Sequence, residues 1–159
     1  MAVTSISSDY TGRTKDISIL QYPDAALTDA QIVLPQFGRN ARFCTGIQKL
    51  LQKYTIILLT NLKSQPDFPE FGTDLLYTLQ GGISPVDRVR ASQIFILASF
   101  AAVTELKKYQ IDNPTIPDDE KIVRAELLSL DLYGGYVGFS VKVITAAGED
   151  ISFIVPLPK

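Results

Sequence analysis

The sequence predicts an α+β fold: two main helices plus a short helix packed on a C-terminal three-stranded antiparallel meander, with an extended N-terminal arm. Three observations predict it. Apolar residues recur at three-and-four spacing over residues 43–58 and again from 85 to about 109. The last third alternates apolar and polar residues in three runs separated by glycine turns. The N-terminal residues are small, polar and Ser/Thr-rich. With 159 residues, 46% hydrophobic and 20% charged, the chain has the composition of one globular domain. The division that follows is an arm over residues 1–15 and a single domain over 16–159.

Taken in order, residues 16–39 hold two short apolar pieces, "ISIL" and "QIVLP", broken by Pro23, Pro35 and Gly38. Each suits an edge strand or an extended segment over the core. In the first helix Phe43, Ile47, Leu50, Leu51, Tyr54, Ile57 and Leu58 share one face, with Asn40 as N-cap. Gly46 inside it costs about 1 kcal/mol against alanine. The end, "TIILLT", is apolar all round and is expected to be deeply buried. In "NLKSQPDFPEFG", Pro66 and Pro69 forbid helix continuation, and Gly72 permits a positive φ or a close approach. A short helix over 73–80 follows, with Leu75, Leu76 and Leu79 on one side and Gly81-Gly82 as its stop.

The second main helix starts at "SPVD", with Ser84 as N-cap, Pro85 at the first helical position and Asp87 completing the box. Val86, Val89, Ile96, Leu97, Phe100 and Val103 are expected on or near one face. Ala98, Ala101 and Ala102 permit close approach of a neighbour, and Lys107 and Lys108 complement the helix dipole. Two prolines in "NPTIPDDEK" end the helix. The meander then alternates Leu128, Leu130 and Leu132; Val137, Phe139, Val141 and Val143; and Ile151, Phe153 and Val155. Its turns fall at 133–136 and 147–149. A three-stranded sheet alone is marginal, so the helices must cover one face.

Composition narrows the chemistry. The chain has no histidine, which removes the usual general base near neutral pH and the commonest metal ligand. Cys44 is the only cysteine, so neither an internal disulfide nor a thiolate cluster is possible, and a reducing compartment is expected. The N-terminus carries no signal-type apolar segment, and the longest apolar run, 94–103, is half the length of a bilayer span. These readings predict a soluble intracellular protein. A formal net charge of −2 argues against phosphate neutralisation as the main task.

The remaining chemical candidates are weak. A glycosidase needs two carboxyl groups roughly 5–9.5 Å apart. Asp67 with Glu70, and the run Asp118, Asp119, Glu120, are the candidates, and solvated loop carboxylates are the simpler reading. "GGISP" lacks the lysine of a phosphate loop. Cys44 suits a small core position. Arg39, Arg42, Lys49 and Lys53 suit a solvated basic face. What is left are interaction features: sheet edges able to accept another strand, Pro156 and Pro158 at the end of the last strand, and the polar arm.

The stretch "IQKLLQKYTIILLTNLKSQPDFPEFGTDLL" resembles the gene-25-like family of contractile-tail baseplate wedge and sheath-initiator proteins, which has a relative in the baseplate of type VI secretion systems. The matching positions are Ile57, Leu58, Leu59 and Thr60, then Pro69, Glu70, Phe71 and Gly72, then Leu75 and Leu76. The order of the later elements also fits, and the similarity covers roughly residues 43–155. Lys63, Ser64 and Gln65 stand where many members carry Gly-Glu-Arg. The run 118–121 with Arg124 stands where many carry Glu-Pro-Arg.

The resemblance implies a structural, non-enzymatic subunit of a phage tail or related injection machine, located in the virion baseplate and assembled in the host cytoplasm. It implies other wedge subunits, the tail sheath subunit and hub or tube proteins as partners, with no nucleic acid, membrane, cofactor or metal. The subunit would dock in the wedge and template the first sheath ring by strand addition. The residues it points to as interface are Pro69, Glu70, Phe71, Gly72, Asp119, Glu120, Arg124, Ile151, Phe153 and Val155. The alternative is a peptidoglycan-degrading, lysozyme-like tail hydrolase, a label some members have carried.

Overall fold

Alternating hydrophobicity after residue 121 produces the sheet around which everything else is arranged. The computed structural model describes residues 13–21, 31–32, 34–35, 43–80, 87–132 and 136–158. In chain order these form β1 (Asp16–Ile17), β2 (Leu20–Gln21), β3 (Gln31–Ile32), β4 (Leu34–Pro35), β5 (Phe43–Cys44), α1 (Gly46–Leu59), α2 (Leu75–Gln80), α3 (Arg88–Asp112), a single 3-10 turn (Asp118–Glu120), β6 (Ile122–Leu132), β7 (Tyr136–Thr145) and β8 (Asp150–Pro158). The fold is α+β, with three α-helices among the described residues and a C-terminal antiparallel meander β6-β7-β8. The expected arm, residues 1–12 of it, the Asn40 cap, Gly81, Gly82, Ser84, Pro85, Val86 and the 133–135 turn lie outside the described residues.

β7 and β8 follow the predicted alternation. Val137, Phe139, Val141 and Val143 are buried, as are Ile151, Phe153, Val155 and Leu157. The tight turn between them uses Gly148 at φ +81°, closed by the Gly148 amide donating to the Thr145 carbonyl at 3.1 Å. A further strand joins this sheet: β3 pairs parallel with Phe153 and Ile154 of β8, giving the order β3-β8-β7-β6.

β6 departs from the expected alternation. Its register slips between Ile122 and Arg124 and again between Leu127 and Ser129. Each bulge inserts one residue, so the inward set steps by three, two and three: Ile122, Ala125, Leu127, Leu130. Leu128 is thereby turned to solvent, and Leu132 is exposed at the strand end, so only Leu130 of the expected leucine row enters the core.

The helices cover the inner face. Tyr54 of α1 sets its ring edge-on to Phe153, and Phe95 of α3 stacks on Phe139 at 4.4 Å between centroids. The buried face of α3 is Ala91, Phe95, Ala98, Ser99, Ala102, Val103 and Leu106. This corrects the sequence expectation: Val89, Ile96, Leu97 and Phe100 point outward, and only Val103 of that group is buried. Phe95 and the alanines win the inner face because small residues let the helix approach the sheet closely around one large aromatic. The start is corrected too. Asp87 is the N-cap, its carboxylate accepting from the Arg90 amide at 3.0 Å, and the helix runs on to Asp112.

α1 begins at Gly46 after an N-cap residue, Thr45, that makes no side-chain cap bond. Phe43, expected on its face, lies instead in β5, pairs with Ile17 and is exposed. The apolar end of α1 is buried as predicted at Thr55, Ile57 and Leu58.

Candidate functional site

The residues to which the sequence points lie in the proline elbow, the acidic turn with the start of β6, and the last strand. In the elbow, α1 stops at Thr60, whose hydroxyl donates to the Ile56 carbonyl at 2.6 Å. The chain leaves, loops through both prolines and returns to the same spot. The Thr73 amide donates to the Thr60 carbonyl at 2.8 Å, and the Leu62 amide to the Thr73 carbonyl at 3.0 Å. Within the loop, the Lys63 amide donates to the Pro69 carbonyl at 3.1 Å. The Thr73 hydroxyl donates to the Leu58 carbonyl at 2.7 Å, satisfying one of the orphan acceptors at the helix end. Gly72, at φ +109°, closes the return; a Cβ there would collide with the Thr60 carbonyl oxygen. Only glycine fits, on both conformation and space.

Pro69 and Glu70 are exposed on this loop, and Phe71 is half-buried against the core. Phe71 also walls a largely apolar groove of about 350 Å³ with Lys53, Ile56, Glu105 and Tyr109. Lys53 crosses the groove, its ammonium 4.5 Å from the centre of the Tyr109 ring. Asp67 is exposed, like Glu70.

The acidic turn differs from the solvated run that the sequence suggests. Glu120 is buried; its Oε2 lies 2.9 Å from Lys49 Nζ, and its Oε1 accepts from the Gly46 amide at 3.1 Å. Lys49, expected on a solvated basic face, is also buried and donates to the Thr14 hydroxyl at 2.7 Å and carbonyl at 3.2 Å. Asp119 is paired with Arg13. Carboxylates gathered at the start of α1 complement the positive end of its dipole. Gly46 belongs to this knot. It sits at φ +60°, and a Cβ there would lie 2.8 Å from an Asp119 oxygen. The physical reason for the correction is enclosure: the N-terminal segment covers the turn from outside. Gln52 extends that cover, donating to the Ile17 carbonyl at 2.9 Å and accepting from the Ile19 amide at 2.8 Å. Arg13 and Thr14, assigned by sequence to the arm, are therefore bound to the domain.

Arg124 lies exposed on β6 and pairs with Glu126 at 2.8 Å. Ile151, Phe153 and Val155 are core residues, so any contact made by β8 runs through its backbone, and β3 already takes that edge at Phe153 and Ile154. The structure thus keeps Pro69, Glu70 and Arg124 at the surface. It commits Gly72, Glu120 and the three β8 side chains to the interior.

Cys44 is buried with its thiol pKa raised, first by desolvation and then by nearby Asp16, which makes it a poor nucleophile. Sequence reasoning missed Lys49, Gln52 and Arg13. The partners lie far apart along the chain, 74 residues for Gly46 and Glu120, and no local pattern marks them. The edge of the sheet was less hidden. β6 is 11 residues long and, among the described residues, pairs with β7 alone. No protein-family model, curated protein or solved structure matches the chain.

Proposed function

We propose that this chain is a structural baseplate-wedge component of a contractile tail or related injection machine, one that starts the sheath by strand addition. The observation that carries the reading is the long outer edge of β6, backed by a helical half locked at a fixed orientation. An edge of this length offers a row of backbone donors and acceptors, and alternating side chains set the register of an added strand. The elbow supports the reading because its task is geometric. Three backbone bonds and a mandatory glycine fix the exit of α1 without any reactive group. The resemblance at 57–76 supplies the identity of the assembly, and the wedge, hub and sheath subunits as partners.

Among the described residues, β6 is preferred to β8 as the acceptor. β8 is already paired with β3, and Pro156 lacks an amide. The two bulges and Arg124 make β6 a guarded edge, one that admits a matched strand and discourages indiscriminate pairing. The hydrolase alternative has no comparable support: Asp67 and Glu70 both stand in open solvent.

The test is nucleation of purified tail-sheath subunit by the full chain, followed by light scattering. The wild type is expected to shorten the lag before sheath assembly. Val123→Lys with Leu128→Lys, two exposed edge positions, is expected to abolish that effect while thermal stability holds. An unchanged lag with the folded double variant contradicts the proposal. Clearing of peptidoglycan that is lost in Asp67→Asn or Glu70→Gln would favour the hydrolase instead.

A further inference from the structure

The outward face of α3 carries a second feature, independent of the sheet edge. At about 100° per residue, Val89, Ile96, Leu97, Phe100 and Ile111 fall within an arc of roughly 100°. All five are exposed, Leu97 at 71% and Phe100 at 73%. The arc lies opposite Phe95, Ala98 and Ala102, which hold α3 to the sheet, so nothing in the core requires it to be apolar. From Val89 to Phe100 the ridge is about 17 Å long, at 1.5 Å per residue, with Gln93 the one polar residue in its line. A ridge this long presents side-chain rows into which a second helix packs. By length and composition, α3 also meets the requirement for a membrane span, with 39% of its most apolar window buried.

The charges around the ridge select among occupants. Arg90 lies beside the ridge at one end and Lys107 within its line at the other, and neither makes an ion pair among the described residues. The acidic groups nearby are engaged or terminal: Asp87 caps the helix, Glu105 pairs with Lys108 at 3.3 Å, and Asp112 ends the last turn. A second copy fits poorly. An antiparallel pair centred between Leu97 and Phe100 brings Arg90 of one chain beside Lys107 of the other, and a parallel pair stacks like on like. A bilayer fits poorly too: the inner face of α3 is packed in the core, which a span would have to strip bare, and two separated cations are fewer than the polybasic clusters that hold helices to anionic membranes. What complements the face is a helix with the opposite charge toward its ends.

We infer that the outer face of α3 is a docking site for an amphipathic helix of another protein, with an apolar stripe at three-and-four spacing and acidic residues toward both ends of that stripe. Leu97 and Phe100 form the centre of the contact, and Arg90 and Lys107 set its preference for acidic partners. The contact makes α3 the middle layer of a sheet–helix–helix stack and involves no residue of the β6 edge. It therefore stands or falls separately from the sheath-initiating role.

The test uses the full chain with two synthetic helical peptides of identical leucine stripe, one flanked by glutamates and one by lysines, followed by fluorescence anisotropy. The glutamate peptide is expected to bind at least ten-fold tighter and to weaken as salt rises. Leu97→Gln with Phe100→Gln is expected to lose at least ten-fold in affinity. Arg90→Glu with Lys107→Glu is expected to reverse the peptide preference. Both pairs occupy exposed positions, and unchanged circular dichroism melts establish that they fold. Equal binding of the two peptides, or none, overturns the inference. So does concentration-dependent dimerisation abolished by the Leu97/Phe100 change, or flotation with phosphatidylserine vesicles that the same change abolishes.

Discussion

Helices α1 and α3 are both rich in apolar residues, yet the fold treats them oppositely. α1 is enclosed nearly all round, to the point that Lys49, Gln52 and Thr55 are buried among its leucines. α3 is covered on one side only and leaves Leu97 and Phe100 in water. α1 is also pinned at both ends, by Glu120 on the Gly46 amide and by Thr73 on the Leu58 carbonyl. The difference shows that burial here follows which segments return to a helix rather than how apolar the helix is. Residues 13–19, the elbow and the acidic turn all return to α1, so it is structural. No comparable cover lies on the outer face of α3 among the described residues, so its apolar residues are available to a neighbour.

The sharpest way to break this contrast is at the buried ion pair. Glu120→Ala leaves the Lys49 ammonium enclosed without its counter-charge and is expected to cost about 3–5 kcal/mol in a denaturant melt. Replacing both partners, Lys49→Met with Glu120→Leu, is expected to recover most of that loss. If the single change alone proves neutral, α1 is not enclosed as described.

At the other end of the helix, Gly72→Ala forces a side chain into left-handed backbone and against the Thr60 carbonyl. About 3 kcal/mol of destabilisation is expected, together with faster amide exchange at Thr73. On α3 the same measurement is expected to give almost nothing. Leu97→Gln and Phe100→Gln should each shift stability by no more than about 0.5 kcal/mol.

The smallest effect concerns pH. Glu149 has its pKa raised, first by desolvation, then by Asp119, with Arg13 opposing. A carboxyl whose folded pKa is raised binds its proton better in the folded state. Its contribution is therefore full below the ordinary value near 4.5 and is lost as pH rises through the raised one. Glu149→Gln is expected to flatten stability slightly over that window, and solvent screening keeps the effect small. A steeper pH dependence in the variant contradicts the assignment.

Much of this contrast was legible in the residues, and the failures have physical causes. β7 and β8 alternate cleanly because both strands put one face on the core, and the elbow was marked by its prolines and Gly72. α3 has apolar residues on every side of its first two-thirds, so periodicity gave no phase, and the wrong face was assigned inward. The leucine row of β6 misled because a bulge shifts phase without leaving a local signal, and Leu128 sits in one. "QIVLP" suits an edge strand and β3 is one, but its parallel partner, β8, leaves no mark in the local pattern. The knot of Gly46, Lys49 and Glu120 depends on chain return, while locally it reads as a helix-breaking glycine, a basic residue and an acidic loop. Of the residues expected at an interface, Pro69 and Glu70 of the elbow are exposed, whereas the β8 side chains are core.

Hydrogen–deuterium exchange of the full chain, with and without purified sheath subunit, tests the central claim most directly. Strand addition predicts new protection of amides in β6, Ile122–Leu132, on sheath binding, with β7 amides unchanged because their ladder bonds exist beforehand. Sheath binding that leaves every β6 amide exchanging at its free rate would contradict the account.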